Sequence, residues 1–142
     1  MKPQLMNYEI DQVEILGRKE GVLFVRKGFH RNRDLLISFV ESIGRSVVLI
    51  TVGRTLSKIE SIQHYKFRSI IRINKDEPSG LLKWSENSSV YSTVTPSVEK
   101  AIFLAKELAQ RGDVVVFSPY GTKDEIADWF ALFNIKMERI GL

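Results

Sequence analysis

The stretch that most constrains this chain runs from Val98 to Phe130. The β-favouring run Val114-Val115-Val116-Phe117 leads straight into Ser118-Pro119-Tyr120-Gly121-Thr122, and a helical pattern starts immediately afterwards. Another helical stripe precedes the run, with Val98, Ala101, Ile102, Ala105 and Leu108 on one face and Gly112 as its expected stop. A strand with no polar face must be covered on both sides, which is the environment of a parallel sheet between layers of helices. The turn after it then falls beyond the carboxyl end of a buried strand, where open α/β sheets bind ligands.

The rest of the chain repeats this alternation. Residues Tyr8 to Arg26 read as a β-hairpin turning at Gly17-Arg18-Lys19-Glu20-Gly21, its second arm inside the sheet and its first at an edge. After the loop Lys27-Gly28-Phe29-His30-Arg31, Asn32 is a candidate N-cap for a helix with Leu35, Leu36, Phe39, Val40 and Ile43 inward and Gly44 as its stop. Val47 to Val52 and Phe67 to Ile73 read as buried strands, separated by Gly53-Arg54-Thr55 and a possible capping box Ser57-x-x-Glu60. A polar loop over Asn74 to Gly80, a short helical segment around Leu81 to Trp84 and a strand over Val90 to Thr93 follow. Thr95-Pro96 is expected to cap the helix that begins near Val98. Thr122-x-x-Glu125 is a second capping-box candidate, opening a helix with Ile126, Trp129, Phe130 and Phe133 inward, and Lys136 to Ile140 alternates like an edge strand. These elements predict one domain over residues 1–142, three-layered and Rossmann-like. Its mostly parallel sheet has about six strands, helices on both faces and an N-terminal hairpin.

Composition narrows the chemistry. With 44% hydrophobic and 27% charged residues the chain has the content of a globular domain, and no apolar run is long enough to span a bilayer. No membrane association is expected, and the start Met-Lys-Pro-Gln-Leu lacks a signal-peptide core, so the default location is cytoplasmic. The absence of cysteine removes disulfides and thiolate chemistry, and two distant histidines, His30 and His64, give a metal site little to build on. The net charge of +4 is too mild to suggest nucleic acid as the partner, although Arg26, Lys27, Arg31 and Arg33 crowd one short segment.

Among the loops expected at the carboxyl edge, Lys27 to Arg31 combines Gly28, which lets backbone approach a ligand, with cationic side chains before a helix N-terminus. Lys27, Gly28, His30 and Arg31 are therefore the candidate anion-binding residues, with a solvated turn as the plainer reading. The segment is neither a GxGxxG fingerprint nor a Walker A loop. Ser118 lacks the Gly-x-Ser-x-Gly setting of a nucleophile, and Thr122 with Glu125 reads as a cap rather than a catalytic pair. No catalytic residue is assigned. The aromatics Trp129, Phe130 and Phe133 fall at helical spacing as core, with Phe130 able to border a pocket.

The pattern Val98-Glu99-Lys100-Ala101, Ala105, Leu108-Ala109, then Gly112-Asp113-Val114-Val115-Val116-Phe117-Ser118-Pro119 resembles the close of the C-terminal domain of the Mur ligases, most nearly the D-glutamate-adding branch. In that family a helix ending in a Pro-Gly-Asp-like turn leads to a strand and a Ser-Pro-Ala loop. The domain's opening hairpin ends in Asp-Ser-Lys-Ala-Thr-Asn, where this chain has Val25-Arg26-Lys27-Gly28-Phe29-His30 and keeps the lysine alone. The family's Gly-Gly-x-x-Lys loop is replaced by Thr51-Val52-Gly53-Arg54-Thr55, a substrate-associated serine is matched by Lys123, and an aromatic of the next helix persists as Phe130.

The resemblance implies a Mur-ligase C-terminal-like domain of peptidoglycan biosynthesis, standing alone or excised. In a complete ligase it would position the amino-acid substrate through Lys27, Ser118 and Phe130 and close over the ATP site. The family's ATP-binding domain, with its Gly-Lys-Thr loop, has no counterpart in this sequence. ATP and magnesium would enter only through a separate ligase domain or chain, and the expectation for this chain alone is inactivity. The alternative is a non-catalytic α/β module that binds an anionic small molecule, a phosphorylated metabolite or nucleotide.

Overall fold

The computed structural model describes residues 13–28, 33–52, 67–74, 80–81, 91–119 and 122–141. Strands β1 (Glu14–Lys19) and β2 (Val22–Arg26) lead to helix α1 (Arg33–Ile43), then β3 (Val47–Val52), β4 (Phe67–Ile73), β5 (Gly80–Leu81) and β6 (Tyr91–Thr95). Helix α2 (Val98–Leu108), β7 (Val114–Phe117) and α3 (Lys123–Arg139) complete the order. The strands form one sheet in the order β1-β2-β7-β3-β4-β6-β5. Its five inner strands are parallel, and antiparallel β1 and β5 close the two edges. This is the expected Rossmann-like three-layer fold with its N-terminal hairpin.

Strand alternation sorts the interior into two cores. Val25, Val47, Leu49, Ile70, Val114 and Val116 face α1, where Leu36 and Val40 cover them. Phe24, Ile50, Ile71, Val115 and Phe117 face α2 and α3, against Ile102, Ala105, Ile126 and Phe133. The rings of Phe117 and Phe133 stack 4.0 Å apart, and Phe130 tilts against Phe117 at 5.8 Å.

Several local expectations are corrected. Lys136 to Ile140 is not an edge strand, because α3 continues to Arg139. Met137 lies four residues after Phe133 on its buried stripe and carries the helix past the point where alternation suggested a strand. The hairpin turns more tightly than expected, with Lys19 opposite Val22 and only Glu20-Gly21 between them. Both turn residues have positive φ, +54° and +80°, the two-residue geometry that matches strand twist. Gly17 lies within β1 beside a bulge, not in the turn. Leu81 belongs to the short strand β5 and not to a helix; Leu82 to Trp84 lie outside the described residues.

Strand β6 runs on through Thr95, so the cap of α2 is Ser97, whose side chain accepts the Lys100 N–H, rather than Thr95-Pro96. Helix α2 ends at an extended Ala109, leaving Gly112 for the next turn. Gly44, at φ +68°, does stop α1, although Leu35 points outward at 53% exposure. The Thr122–Glu125 capping box is present in full. Asn32, the Ser57-x-x-Glu60 box and the loop centred on Gly53-Arg54-Thr55 lie outside the described residues.

Candidate functional site

Strand β2 is followed by α1 on one face of the sheet, and its neighbour β7 is followed by α3 on the other. Connections that leave two adjacent parallel strands on opposite faces open a crevice between them, the switch point at which such sheets bind ligands. Backbone bonds tie the edges of this crevice together. The Lys27 N–H donates to the Phe117 carbonyl at 3.0 Å, and the Ser118 N–H to the Ile50 carbonyl at 2.8 Å.

The register then aligns a row of polar residues. Arg26 and Ile50 both pair with Phe117, and Thr51 pairs with Arg72. One residue further along, Lys27, Ser118, Thr51 and Arg72 follow one another across four neighbouring strands. Alternation puts all four positions on the α1 face, since Val25, Val116, Leu49 and Ile70 face it two residues earlier. Ser118 and Thr51 are both 2% exposed and Arg72 is 8% exposed. The Ser118 Oγ and Thr51 Oγ1 are buried without a hydrogen-bond partner. An orphaned buried hydroxyl costs free energy, and two of them stand on adjacent strands at this switch point.

The structure thus brings Lys27 and Ser118 together, with Gly28 buried beside them. It places Phe130 elsewhere, on α3 behind the opposite face of the sheet. Phe130 is 5% exposed, with the Arg26 guanidinium 5.2 Å above its ring and donating to its carbonyl at 3.3 Å. Arg26 also pairs with Glu14, which ties the edge strand to the same cluster. His30 and Arg31 lie outside the described residues. Lys123, at the first position of α3, is exposed.

Thr51 and Arg72 were missed by the sequence reading. A charged residue inside Ile70-Ile71-Arg72-Ile73 was the available signal, whereas the partnership of Arg72 with Thr51 requires the strand register. Among the described residues no group of three or more metal-ligating side chains could hold an ion, and no helix is long and apolar enough to cross a membrane.

Comparison with known proteins agrees with this fold. No family model matches the sequence. The UDP-N-acetylmuramoylalanine–D-glutamate ligase of Cytophaga hutchinsonii is 30% identical over 112 residues, covering 76% of this chain and 25% of that protein. The ligase of the same name from Pelotomaculum thermopropionicum is 23% identical over the same shares. The chain therefore spans about a quarter of the length of the curated relatives it matches. Among solved structures, a domain of a UDP-N-acetylmuramate:L-alanyl-gamma-D-glutamyl-meso-diaminopimelate ligase from Haemophilus ducreyi superposes with a TM-score of 0.56 at 10% identity, covering 88% of this chain and 99% of that one. The MurF ligase of Thermotoga maritima, solved with ADP, gives a TM-score of 0.52 at 14% identity, covering 90% of this chain and 31% of that one. Sequence likeness to the first pair and fold likeness to the second point the same way: the chain is similar to the Mur ligases, as a C-terminal-like domain.

Proposed function

We propose that this chain is the substrate-positioning, closing domain of a Mur-type ligase, and that its crevice holds the carboxylate of the incoming amino acid. The observation that carries this reading is the row Lys27, Ser118, Thr51 and Arg72, in which two orphaned hydroxyls lie between two cationic residues at the switch point. A carboxylate is acceptor-only and takes hydrogen bonds from hydroxyl, lysine and arginine donors at once. Gly28 lies beside this row, and His30 and Arg31, which follow it in sequence, are the further candidate anion-binding residues. Phe130 contributes indirectly, by seating the β2 end through Arg26. Activation by ATP and magnesium belongs to a separate ligase domain or chain, over which this one closes.

The test is an NMR titration of the pure chain with D-glutamate, the amino acid named by the curated relatives. Shifts are expected at the amides of Lys27, Gly28, Thr51 and Ser118, with binding weakened about tenfold or more in Ser118→Ala and Arg72→Met, the scale of one charge-assisted hydrogen bond. Amide shifts confined to other parts of the chain would overturn the reading. Shifts there with a uridine nucleotide but not with D-glutamate would favour the phosphorylated-metabolite module instead. The pure chain is expected not to turn over ATP, and turnover would refute the need for a separate ATP-binding unit.

A further inference from the structure

A second charged cavity lies at the amino end of the sheet, the length of β2 away from the polar row. It encloses about 220 Å³ between the β1–β2 turn and the last turn of α2. Lys19, Lys106 and Arg111 converge on it over a floor of Val22 and Phe24, with Glu20 as the single carboxylate in its lining.

The fold holds these cations in place. A Cβ on Gly21 would sit 2.6 Å from the Arg111 Cγ, so only glycine lets that side chain lie against the hairpin turn. The Gly112 N–H donates to the Gly21 carbonyl at 2.9 Å and locks the two turns together. Lys19 Nζ donates to the Gly141 carbonyl at 3.2 Å, which fixes its stem beside the end of α3. Burial and the nearby Lys19 charge push the Lys106 pKa below the ordinary lysine value, with Glu20 opposing them. Like charges held together in this way are relieved by an anion.

We propose that this cavity binds one phosphoryl group, as inorganic phosphate or as the end of a small phosphorylated molecule. Two ammonium groups and one guanidinium fork suit the three terminal oxygens and double charge of a phosphate better than they suit a carboxylate. The cavity's volume of about 220 Å³ admits the phosphoryl group. This site is independent of the carboxylate crevice.

The experiment titrates the full chain with inorganic phosphate at constant ionic strength, against chloride, and follows melting temperature and the Lys106 side-chain NMR signal. A saturable rise in melting temperature and an upward move of the Lys106 pKa are expected. Arg111→Gln and Lys106→Gln should each weaken binding about tenfold or more, whereas Lys136→Gln, which removes one charge elsewhere, should leave it unchanged. A response that does not saturate, or that is equally lost in Lys136→Gln, would overturn the site and reduce the effect to general screening. Glycerol phosphate distinguishes the sources: tighter binding than inorganic phosphate identifies a phosphorylated molecule, and weaker binding identifies the free ion.

Discussion

Arg68 reaches Asp113 because it is the extra residue of a bulge. Val47 pairs with Phe67 and Val48 with Ser69, which leaves Arg68 unmatched and re-aims its side chain. Its guanidinium grips both carboxylate oxygens of buried Asp113, with the Nη2–Oδ1 arm at 3.2 Å, and Asp113 also accepts the Gln110 N–H at 2.8 Å. Asp113→Ala should cost about 2 kcal/mol in urea unfolding, since it strands both donors, and Arg68→Met about 1 kcal/mol, because that side chain is a third exposed. The hydrogen bond and charge of Asp113 raise the Arg68 pKa above its ordinary value against the opposing effect of burial. The associated stability is fully present below that ordinary value and is lost only as pH climbs through the raised one, so it is flat across the neutral range. Lys106 behaves oppositely. With its folded pKa depressed, the unfolded chain binds more protons, and this group's contribution improves as pH rises through the folded value toward the ordinary lysine one. Lys106→Met should therefore stabilise the chain near neutrality, with the advantage over wild type shrinking toward about pH 10, as urea midpoints at the two pH values would show.

At the scale of elements, the capping box of α3 was readable because its signal is local. Thr122 Oγ1 accepts the Glu125 N–H at 3.3 Å while Glu125 Oε1 accepts the Thr122 N–H at 3.3 Å. Thr122→Ala should lower stability by about 1 kcal/mol in thermal unfolding, with Glu125→Ala costing less. The buried strands were equally legible, since runs such as Val47 to Val52 carry no polar face to misassign. The end of α3 was not, because Lys136-Met137-Glu138-Arg139-Ile140 alternates over too few residues to separate period 2 from period 3.6. The deciding contact is Met137 against the core beneath α3, a tertiary fact. The same limit applied to the site: Lys27 and Ser118 could be placed from strand ends alone, whereas Thr51 and Arg72 join them only once β3 and β4 are in register.

For the molecule as a whole, stability rests on two apolar layers that share the inner strands, and the larger one is anchored by stacked Phe117 and Phe133. Phe133→Ala should cost about 3–5 kcal/mol in denaturant unfolding. Ile135→Ala, on the exposed side of the same helix at 51% exposure, should cost less than about 0.5 kcal/mol. The strand order carries a consequence for how the chain reaches this state. β7 is the last strand in sequence yet lies between β2 and β3, so the sheet is completed from its middle. Until Phe117 has left the ribosome, β2 and β3 each present an open, apolar edge toward a gap one strand wide. No amino-terminal half of this fold can be finished on its own, and a nascent or truncated chain lacking β7 carries two sticky edges where the mature sheet has none.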